Sequence, residues 1–486
     1  MQNSRNPPAT APKSKRNRSV VDVAIIGGGF SGTILAVQLL RRAPSLRIGV
    51  VDKSSIPGRG LAYSTQYNCH LLNVPAGNMS ALDDDPGHFL RWARSNCGPA
   101  VHPESFVPRM AYGRYIGSLL EETAMQQIGH SLEWLQEEAV SLTRENGRPV
   151  VLLKNGRELL AKIVILAIGN FPPGNPKVSG LSGARKKYVP FAWSPAALEG
   201  LDPNGSVLLI GSGLTSIDLA IALQARKFQG HIQIISRHGL IPQRHQAAEP
   251  WPQFWHHGSP RNIRGLMHLV RAQVQAAAAK GVDWRAVINA LRPAAQDIWK
   301  SLPHEERARF LRHARPYWEA HRHRIAFEIH NIISRLISQG RLVIHAGRIT
   351  EYSEVDDRAV VVFRNRKNGS LQQLQVDRVI NCTGSETDCR RIDDSLLTSL
   401  FLQGEARPDP LFLGLDVDSK GSVLNFNGVP SNTLFAVGPV KKGGLWETTA
   451  VPEIRKQAAD LAEHVVQLLA YRAASPHKNA VVEATA

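Results

Sequence analysis

Val21-Asp-Val-Ala-Ile-Ile26 runs directly into Gly27-Gly-Gly-Phe-Ser-Gly32, and the reading of this stretch decides the fold. The apolar run is compatible with a buried parallel strand. The glycines follow a Gly-x-Gly-x-x-Gly spacing, and Ser31 to Arg42 reads as a helix with apolar Ile34, Leu35, Val37, Leu39 and Leu40. A strand, turn and helix of this kind offers the free N–H groups of the helix start to a phosphate. Gly27 is expected to allow the tight turn, Gly29 the approach of a pyrophosphate and Gly32 the close packing of helix on strand. A second apolar strand, Arg47 to Val51, ends in Asp52, twenty residues past Gly32. A carboxylate there accepts both hydroxyls of an unphosphorylated ribose. Strand, turn, helix and acid in register point to a dinucleotide-binding unit rather than an ordinary glycine-rich turn.

The same plan returns in the second half. Val207 to Ile210 leads into Gly211-Ser-Gly-Leu-Thr-Ser216, a helix through Ala225 and a strand His231 to Ile235. The apolar strand Ile163 to Ile168, which ends at Gly169, is matched by Arg378 to Gly384. Duplication of a whole plan is not the work of one stray glycine triplet. The copies differ where the ribose would lie: twenty-five residues from the first glycine stands Asp52 in one, but Ser236 followed by Arg237 in the other. A carboxylate repels a 2′-phosphate, whereas a hydroxyl beside a guanidinium binds it. The second site, with Gly211, Gly213, Ser216, Ser236 and Arg237, is therefore expected to select NADPH.

Length suggests about three domains, and 43% apolar with 20% charged residues is a globular composition. The formal charge of +17 suits polyanionic dinucleotides and an acidic substrate as well as nucleic acid or an anionic membrane, and does not separate them. Cys69, Cys97, Cys382 and Cys389 form no Cys-x-x-Cys pair and no metal-ligand spacing, so no metal is expected and a cytoplasmic location is. No run is long and apolar enough for a signal peptide or a membrane span.

The expected organisation is a disordered basic arm over 1–20, a first nucleotide domain over 21–195, a second over 196–240 and 341–384, and a helical insertion over 241–340. Residues 385–470 return to the first domain, through the strand Thr433 to Val437 that ends at Gly438 and a last helix through Leu469, and 471–486 form a flexible tail. Helices are expected over Pro86 to Arg94, Tyr112 to Met125, Ile263 to Ala279, Asp283 to Leu291, Glu305 to Arg315 and His321 to Leu336. Ser301 before Pro303 reads as a helix start. Asn155-Gly156 and Asn368-Gly369 mark hairpins. In Trp318-Glu-Ala-His-Arg-His-Arg324, His321 and His323 would face different sides of a helix, so a solvated basic face, or an anion contact, is expected rather than a metal site.

Gly60-Leu-Ala-Tyr63, His70-Leu-Leu-Asn-Val-Pro75, Asn78-Met-Ser-Ala81, Val379-Ile-Asn-Cys-Thr-Gly384 and Trp446-Glu-Thr-Thr-Ala-Val-Pro-Glu-Ile-Arg455 resemble a bacterial family of FAD/NAD(P)-binding proteins. Its plan is similar to that of class B flavin monooxygenases, among them ornithine and lysine N-hydroxylases. The resemblance implies an α/β fold of two Rossmann-like domains of the two-domain flavoprotein type, with FAD at the first site and NADPH at the second. It departs from the flavin-containing and Baeyer–Villiger branches, because Phe171-Pro-Pro-Gly-Asn-Pro176 lacks the His of their Phe-x-Gly-x-x-x-His signature. It departs from the disulfide reductases, because Cys382 and Cys389 are not spaced as a reactive pair.

The function expected is an FAD- and NADPH-dependent oxidoreductase, a monooxygenase in which oxygen adds to reduced flavin at C4a and is passed to a small, amine-bearing or anionic molecule. Asn73 and Asn78 are the candidates for lining the flavin ring, with Trp446 and Glu447 opposite; Gly169 and Gly438 would let the cofactor lie against strand ends. An NADPH:acceptor reductase is the alternative. A flavin-binding nucleic-acid partner ranks third, for no groove-reading motif accompanies the charge.

Overall fold

In the computed structural model, which describes residues 17–127, 131–181 and 185–474, the strand Val23–Ile26 is central to a six-stranded sheet. The order is Ser422–Leu424, Pro430–Ala436, Ile163–Leu166, Val23–Ile26, Ile48–Asp52, Leu132–Gln136, all parallel except the first. Both faces are covered, which is why these strands are apolar throughout rather than alternating. Val23, Ile25, Val50 and Ile165 face the helices Phe30–Arg42, Arg109–Met125 and Val451–Ala474. Ala24, Ile26, Val164 and Leu166 face the other way, toward Leu142, Val151 and Leu159 of a smaller sheet and Leu396, Leu397 and Leu400 of the helix Ser395–Leu402.

The smaller sheet orders Arg18–Val20, Glu158–Leu160, Arg148–Leu153 and Ala139–Glu145. The basic arm therefore stops short of Arg18. Three residues expected to be free pair in parallel with Glu158–Leu160, and Arg18 bridges Glu145 and Glu158 at 2.6 and 2.5 Å. Residues 1–16 of that arm lie outside the described residues.

The second sheet has seven strands, in the order Leu371–Val376, Arg358–Asn365, Leu342–Val355, His231–Ser236, Ser206–Ile210, Arg378–Asn381, Tyr188–Val189. Its last five are parallel; the first three form an antiparallel meander that the long strand Leu342–Val355 enters through a bulge between Ile349 and Glu351. Leu209, Ile232, Ile234 and Ile380 pack under the helices Leu214–Ala225 and Phe327–Ser338, while Leu208, Ile210 and Val379 pack on Tyr352, Val361 and Phe363 of the meander.

Three boundaries move. Leu181, Tyr188, Val189 and Ala192 belong to the second core, so the first domain ends before them rather than at 195. The helix Phe327–Ser338 is the crossover between the parallel strands His231–Ser236 and Leu342–Val355, hence part of the second domain and not of the insertion. The last helix continues to Ala474, where Arg472 donates to the Asn432 carbonyl at 2.8 Å. Residues 475–486 lie outside the described residues.

The insertion holds helices Ile263–Ala279, Trp284–Leu291, Ala295–Ser301, His304–Arg309 and Arg315–Arg322, the last two joined by a π-turn over Phe310–Ala314. Asn262 and Asp283 cap the first two by accepting from Gly265 N and Arg285 N. Ser301 ends a helix instead of starting one, because its hydroxyl donates to the Ile298 carbonyl and Pro303 takes the cap position of the next. The helix expected over 321–336 is broken at His323–Ala326: there Ile325 pairs with the strand-like segment at Arg244, its N–H donating to Gln243 O and its C=O accepting from His245 N at 2.9 and 2.8 Å. Among the described residues no helix is long and apolar enough to cross a membrane.

The two nucleotide domains are joined by a buried ion pair. Arg109 Nη1 lies 2.6 Å from Asp218 Oδ2, Arg109 Nε donates to the Leu71 carbonyl, and His70 Nε2 donates to the Asp218 carbonyl. Removing one partner strands the other in the interior. Arg109→Ala should cost about 3–5 kcal/mol of unfolding free energy, whereas Arg109→Met combined with Asp218→Leu should recover most of it. Denaturant midpoints of the three proteins check this; equal losses in single and double variants would contradict it.

Candidate functional site

At the first turn Gly27 has φ +104°, and a Cβ there would stand 2.3 Å from the Ala167 carbonyl oxygen; a Cβ on Gly32 would stand 1.9 Å from Gly27 O. No side chain but hydrogen fits either place. The helix Phe30–Arg42 starts without a side-chain cap and without an acid in its first turn, so its free N–H groups and positive dipole end are left for an anion. Asp52 sits beside this turn, its Oδ2 accepting from Gly28 N at 2.6 Å and its Oδ1 from Ser54 N at 2.7 Å. The Trp134 indole lies against Gly28 and donates to Ser54 O at 3.0 Å. Gly29 and Gly60 oppose each other across the turn, two residues without side chains bounding the channel.

Further along, Gly438 has φ +83° and approaches Ser31 so closely that a Cβ would meet its Oγ at 2.3 Å. Its N–H donates to Gln457 Oε1 at 3.3 Å. Around this seam the buried Tyr112 hydroxyl, Thr448 Oγ1 and Gln457 Nε2 have no hydrogen-bond partner among the described residues. Buried polar atoms of this kind need one. The set fits a long polar cofactor laid from Asp52 toward Gly438.

The second turn repeats the first with one change. Gly211 has φ +108°, and a Cβ there would stand 2.5 Å from Cys382 O. In place of the third glycine Ser216 is fully buried and its hydroxyl donates to Gly211 O at 2.5 Å. Gly213 faces open space, and the helix Leu214–Ala225 again begins with neither cap nor acid. Ser236 is occupied locally: its Oγ lies 2.8 Å from Ser212 Oγ and accepts from Gly239 N. Arg237 is exposed and makes no ion pair among the described residues. His238 beside it is held below its ordinary pKa by burial and by Arg366 and Arg237, and stacks edge-on with Tyr317 at 5.4 Å.

A cleft of about 680 Å³ lies between the domains at the carboxyl ends of both sheets, the place where open α/β sheets bind ligands. Gly169 and Pro439 wall it from the first sheet; Gly211, Gly213, Ser236 and Arg237 wall it from the second. The insertion helix Arg315–Arg322 roofs one end, contributing Arg315, Glu319 and, just beyond, His323, with Lys442 opposite. Arg315 Nε donates to Glu319 Oε1 at 2.8 Å. Burial would raise the Glu319 carboxyl, but Arg315 and Lys442 outweigh it and hold the group low. Burial keeps the His323 imidazole below its usual pKa, and burial with Arg315 brings Lys442 down to about 8.

Of the four residues proposed to surround the flavin ring, none lines this cleft. Asn78 is exposed on a short turn, Ala76–Asn78, because the loop buries Leu72, Val74, Ala76 and Met79 beneath it. Asn73 sits at the domain seam, where its carbonyl accepts from His245 Nε2 at 3.0 Å, and burial depresses that imidazole to about 4. Trp446, at φ +59°, is buried in an aromatic stack with Trp299 at 5.1 Å and Phe310 at 5.0 Å. Glu447 accepts from Trp318 Nε1 at 3.0 Å and pairs with Arg322 at 3.3 Å, behind the wall. Lys442, Arg315, Glu319 and His323 escaped the sequence reading. The only signal was the pair Lys441-Lys442, one residue beyond Gly438-Pro439, and an Arg- and His-rich run read as a solvated face or an anion contact.

Residues 24–171 match a family model described as FAD-NAD(P)-binding. No curated protein matches the chain by sequence. Among solved structures, the ornithine hydroxylase of Pseudomonas aeruginosa is 17% identical with a TM-score of 0.63, covering 93% of this chain and 100% of its own. The cadaverine monooxygenase of Erwinia amylovora, bound to FAD, is 14% identical with a TM-score of 0.65, covering 92% and 94%. The thioredoxin reductase of Lactococcus lactis is 14% identical with a TM-score of 0.52, covering 93% and 99%. At such identities the likeness establishes the fold: two dinucleotide-binding domains of the flavoprotein type, the first interrupted by the second.

Proposed function

We propose that this chain is an FAD-dependent, NADPH-using monooxygenase acting on a small amine. The observation that carries the reading is the cleft shared by the two domains: strand ends of both open onto it, and the end beneath the insertion helix holds an ammonium, an imidazole that burial keeps below its usual pKa and an ion-paired carboxylate. Asp52 would hold the ribose of FAD, with the uncapped helix start at Gly29 on its phosphates and Thr448 and Gln457 on its far end. Bound flavin supplies hydride acceptance and the reaction with oxygen. Gly213 and the following N–H groups would take the NADPH pyrophosphate, with Arg237 on the 2′-phosphate. Arg315, Pro316, Glu319 and Ala320 of the insertion helix line the cleft and would help exclude water from it once the cofactor is bound. His323 Nε2 or Nδ1, neutral at working pH, would take a proton from the substrate ammonium so that the free amine reacts. The hydroxylase likenesses support a monooxygenase, and the thioredoxin reductase likeness keeps electron transfer to an external acceptor as the rival that experiment must separate.

The purified protein should carry FAD, and Asp52→Ala should weaken it by about 1.5–3 kcal/mol, the worth of a charged hydrogen bond; a flavin-fluorescence titration reads the change, and a protein that cannot be reconstituted with FAD would overturn the assignment. Arg237→Ala should raise the KM for NADPH about 10- to 100-fold and barely touch that for NADH, measured by steady-state NAD(P)H oxidation; equal loss with both would remove Arg237 from the 2′-phosphate. With oxygen and NADPH, a screen of amines, amino acids and sulfides should find one whose oxygenated product forms in step with oxygen uptake. Full conversion of oxygen to hydrogen peroxide with every candidate, alongside rapid reduction of a quinone or protein acceptor, would transfer the reading to the reductase.

A further inference from the structure

Four cations and three carboxylates crowd the roofed end of the cleft and the wall behind it. Three of the cations are paired: Arg315 with Glu319 at 2.8 Å, Arg322 with Glu447 and Glu453 at 3.3 and 3.6 Å, and Arg292 with Glu453 at 3.4 Å. The fourth, Lys442, has no carboxylate within 4.0 Å among the described residues. Its Nζ lies 4.7 Å over the Trp446 ring, and Arg315 approaches the same ring at 5.7 Å. The groups that face it are Arg315 and Glu319 from the roof helix and Glu447 from the wall, with His323 beside them.

A half-buried ammonium without a carboxylate in contact is costly, and the indole offsets only part of that cost. A second cation on the same indole adds repulsion. Arg315 also spends only its Nε on Glu319 and has two further nitrogens toward the cleft it lines. Lys442 and the two remaining nitrogens of Arg315 are thus an anion seat beside Glu319 in which no carboxylate of the described residues contacts the ammonium.

We infer that Lys442, backed by Arg315, seats a carboxylate of the small molecule bound in the cleft. Resting on the monooxygenase reading, this makes the substrate an amine that carries a carboxylate rather than a plain diamine, and makes Lys442 its specificity-determining residue. Cofactor phosphates are poor alternatives for the seat. Those of NADPH have Gly213 and Arg237 on the opposite domain, and those of FAD have the helix start at Gly29. The lysine instead follows the strand end at Gly438-Pro439, on the first-domain side of the cleft.

The test compares FAD-loaded wild type, Lys442→Met and Lys442→Arg, each checked for flavin content. The probes are two pairs differing only by a carboxylate, L-lysine with cadaverine and L-ornithine with putrescine, together with succinate as a non-reacting anion and NADP⁺. Wild type should favour the carboxylate-bearing member of a pair. Lys442→Met should raise its KM about 10- to 100-fold, as for one charge-assisted hydrogen bond, and leave that of the diamine alone, while Lys442→Arg restores most of the loss. Calorimetric binding of succinate should fall by the same factor, and in wild type it should weaken as pH rises through about 8, where Lys442 loses its proton. If Lys442→Met moves NADP⁺ affinity instead, the lysine holds a phosphate and the inference is wrong. If amines are oxygenated with no preference for the carboxylate and succinate binding is unmoved, the seat falls while the monooxygenase stands. If succinate binding falls as expected but no amine is oxygenated, the seat stands and the monooxygenase falls. Should Lys442→Met lose its flavin, the wild-type pH dependence and Lys442→Arg decide the matter, and pH-independent succinate binding overturns it.

Discussion

Two backbone crossings govern this protein. Where a parallel strand turns into its helix, the chain passes within van der Waals reach of the next strand, and at Gly27, Gly32 and Gly211 a β-carbon would have to occupy the space of a carbonyl oxygen. Both helices that leave these turns lack a capping side chain and an acid in the first turn. The tightness brings the helix start to the sheet edge, and the missing caps leave its N–H groups available. Ser216 shows how far the rule can bend, for a buried hydroxyl fits at the third position when it bonds back to Gly211.

Around the cleft the charges are arranged in depth. Ion pairs between Arg322, Arg292, Glu447 and Glu453 lie behind the wall, and Trp446 with Trp299 and Phe310 fills the space between them and the insertion. Trp446 adopts a positive φ, a strained geometry for a bulky residue that the stack over-determines. That stack carries Lys442 on its face. The insertion is therefore more than a lid: Trp299 donates to Gly443 O at 2.7 Å and Gln296 to Glu447 O at 2.7 Å, so the roof and the floor of the site are bonded to each other.

What was legible in the sequence was whatever is fixed by short spacing. The glycine turns, the strand ends at Gly169 and Gly438, the acid at Asp52 and the arginine at Arg237 all follow from a few consecutive residues, and the structure places them at strand ends and turns. What was not legible depends on packing between distant segments. Asn78 faces solvent because its apolar neighbours compete for the core. Trp446 and Glu447 lie behind the wall because Trp299, Phe310, Trp318 and Arg322, more than a hundred residues earlier, reach them first. Lys442, Arg315 and His323 meet only when the insertion folds over the first domain, and the break at His323 is set by the pairing of Ile325 with the segment at Arg244.

The interrupted layout also has a consequence for biosynthesis. The strand Pro430–Ala436 pairs in parallel with Ile163–Leu166, and the helix Val451–Ala474 covers the helix Phe30–Arg42, so the first domain joins the two ends of the described chain. The second domain and its insertion form one continuous run between them and can close while the ribosome is still at work. The first sheet must wait, partly unpaired, until the last segment emerges, and long-range parallel pairing is slow. Gly438, Thr448 and Gln457 arrive last. On the proposed function, tight capture of the flavin would therefore be a late event in the maturation of the nascent chain, and the half-built sheet is the stage at which a chaperone, or the flavin itself, would most change the yield of active protein.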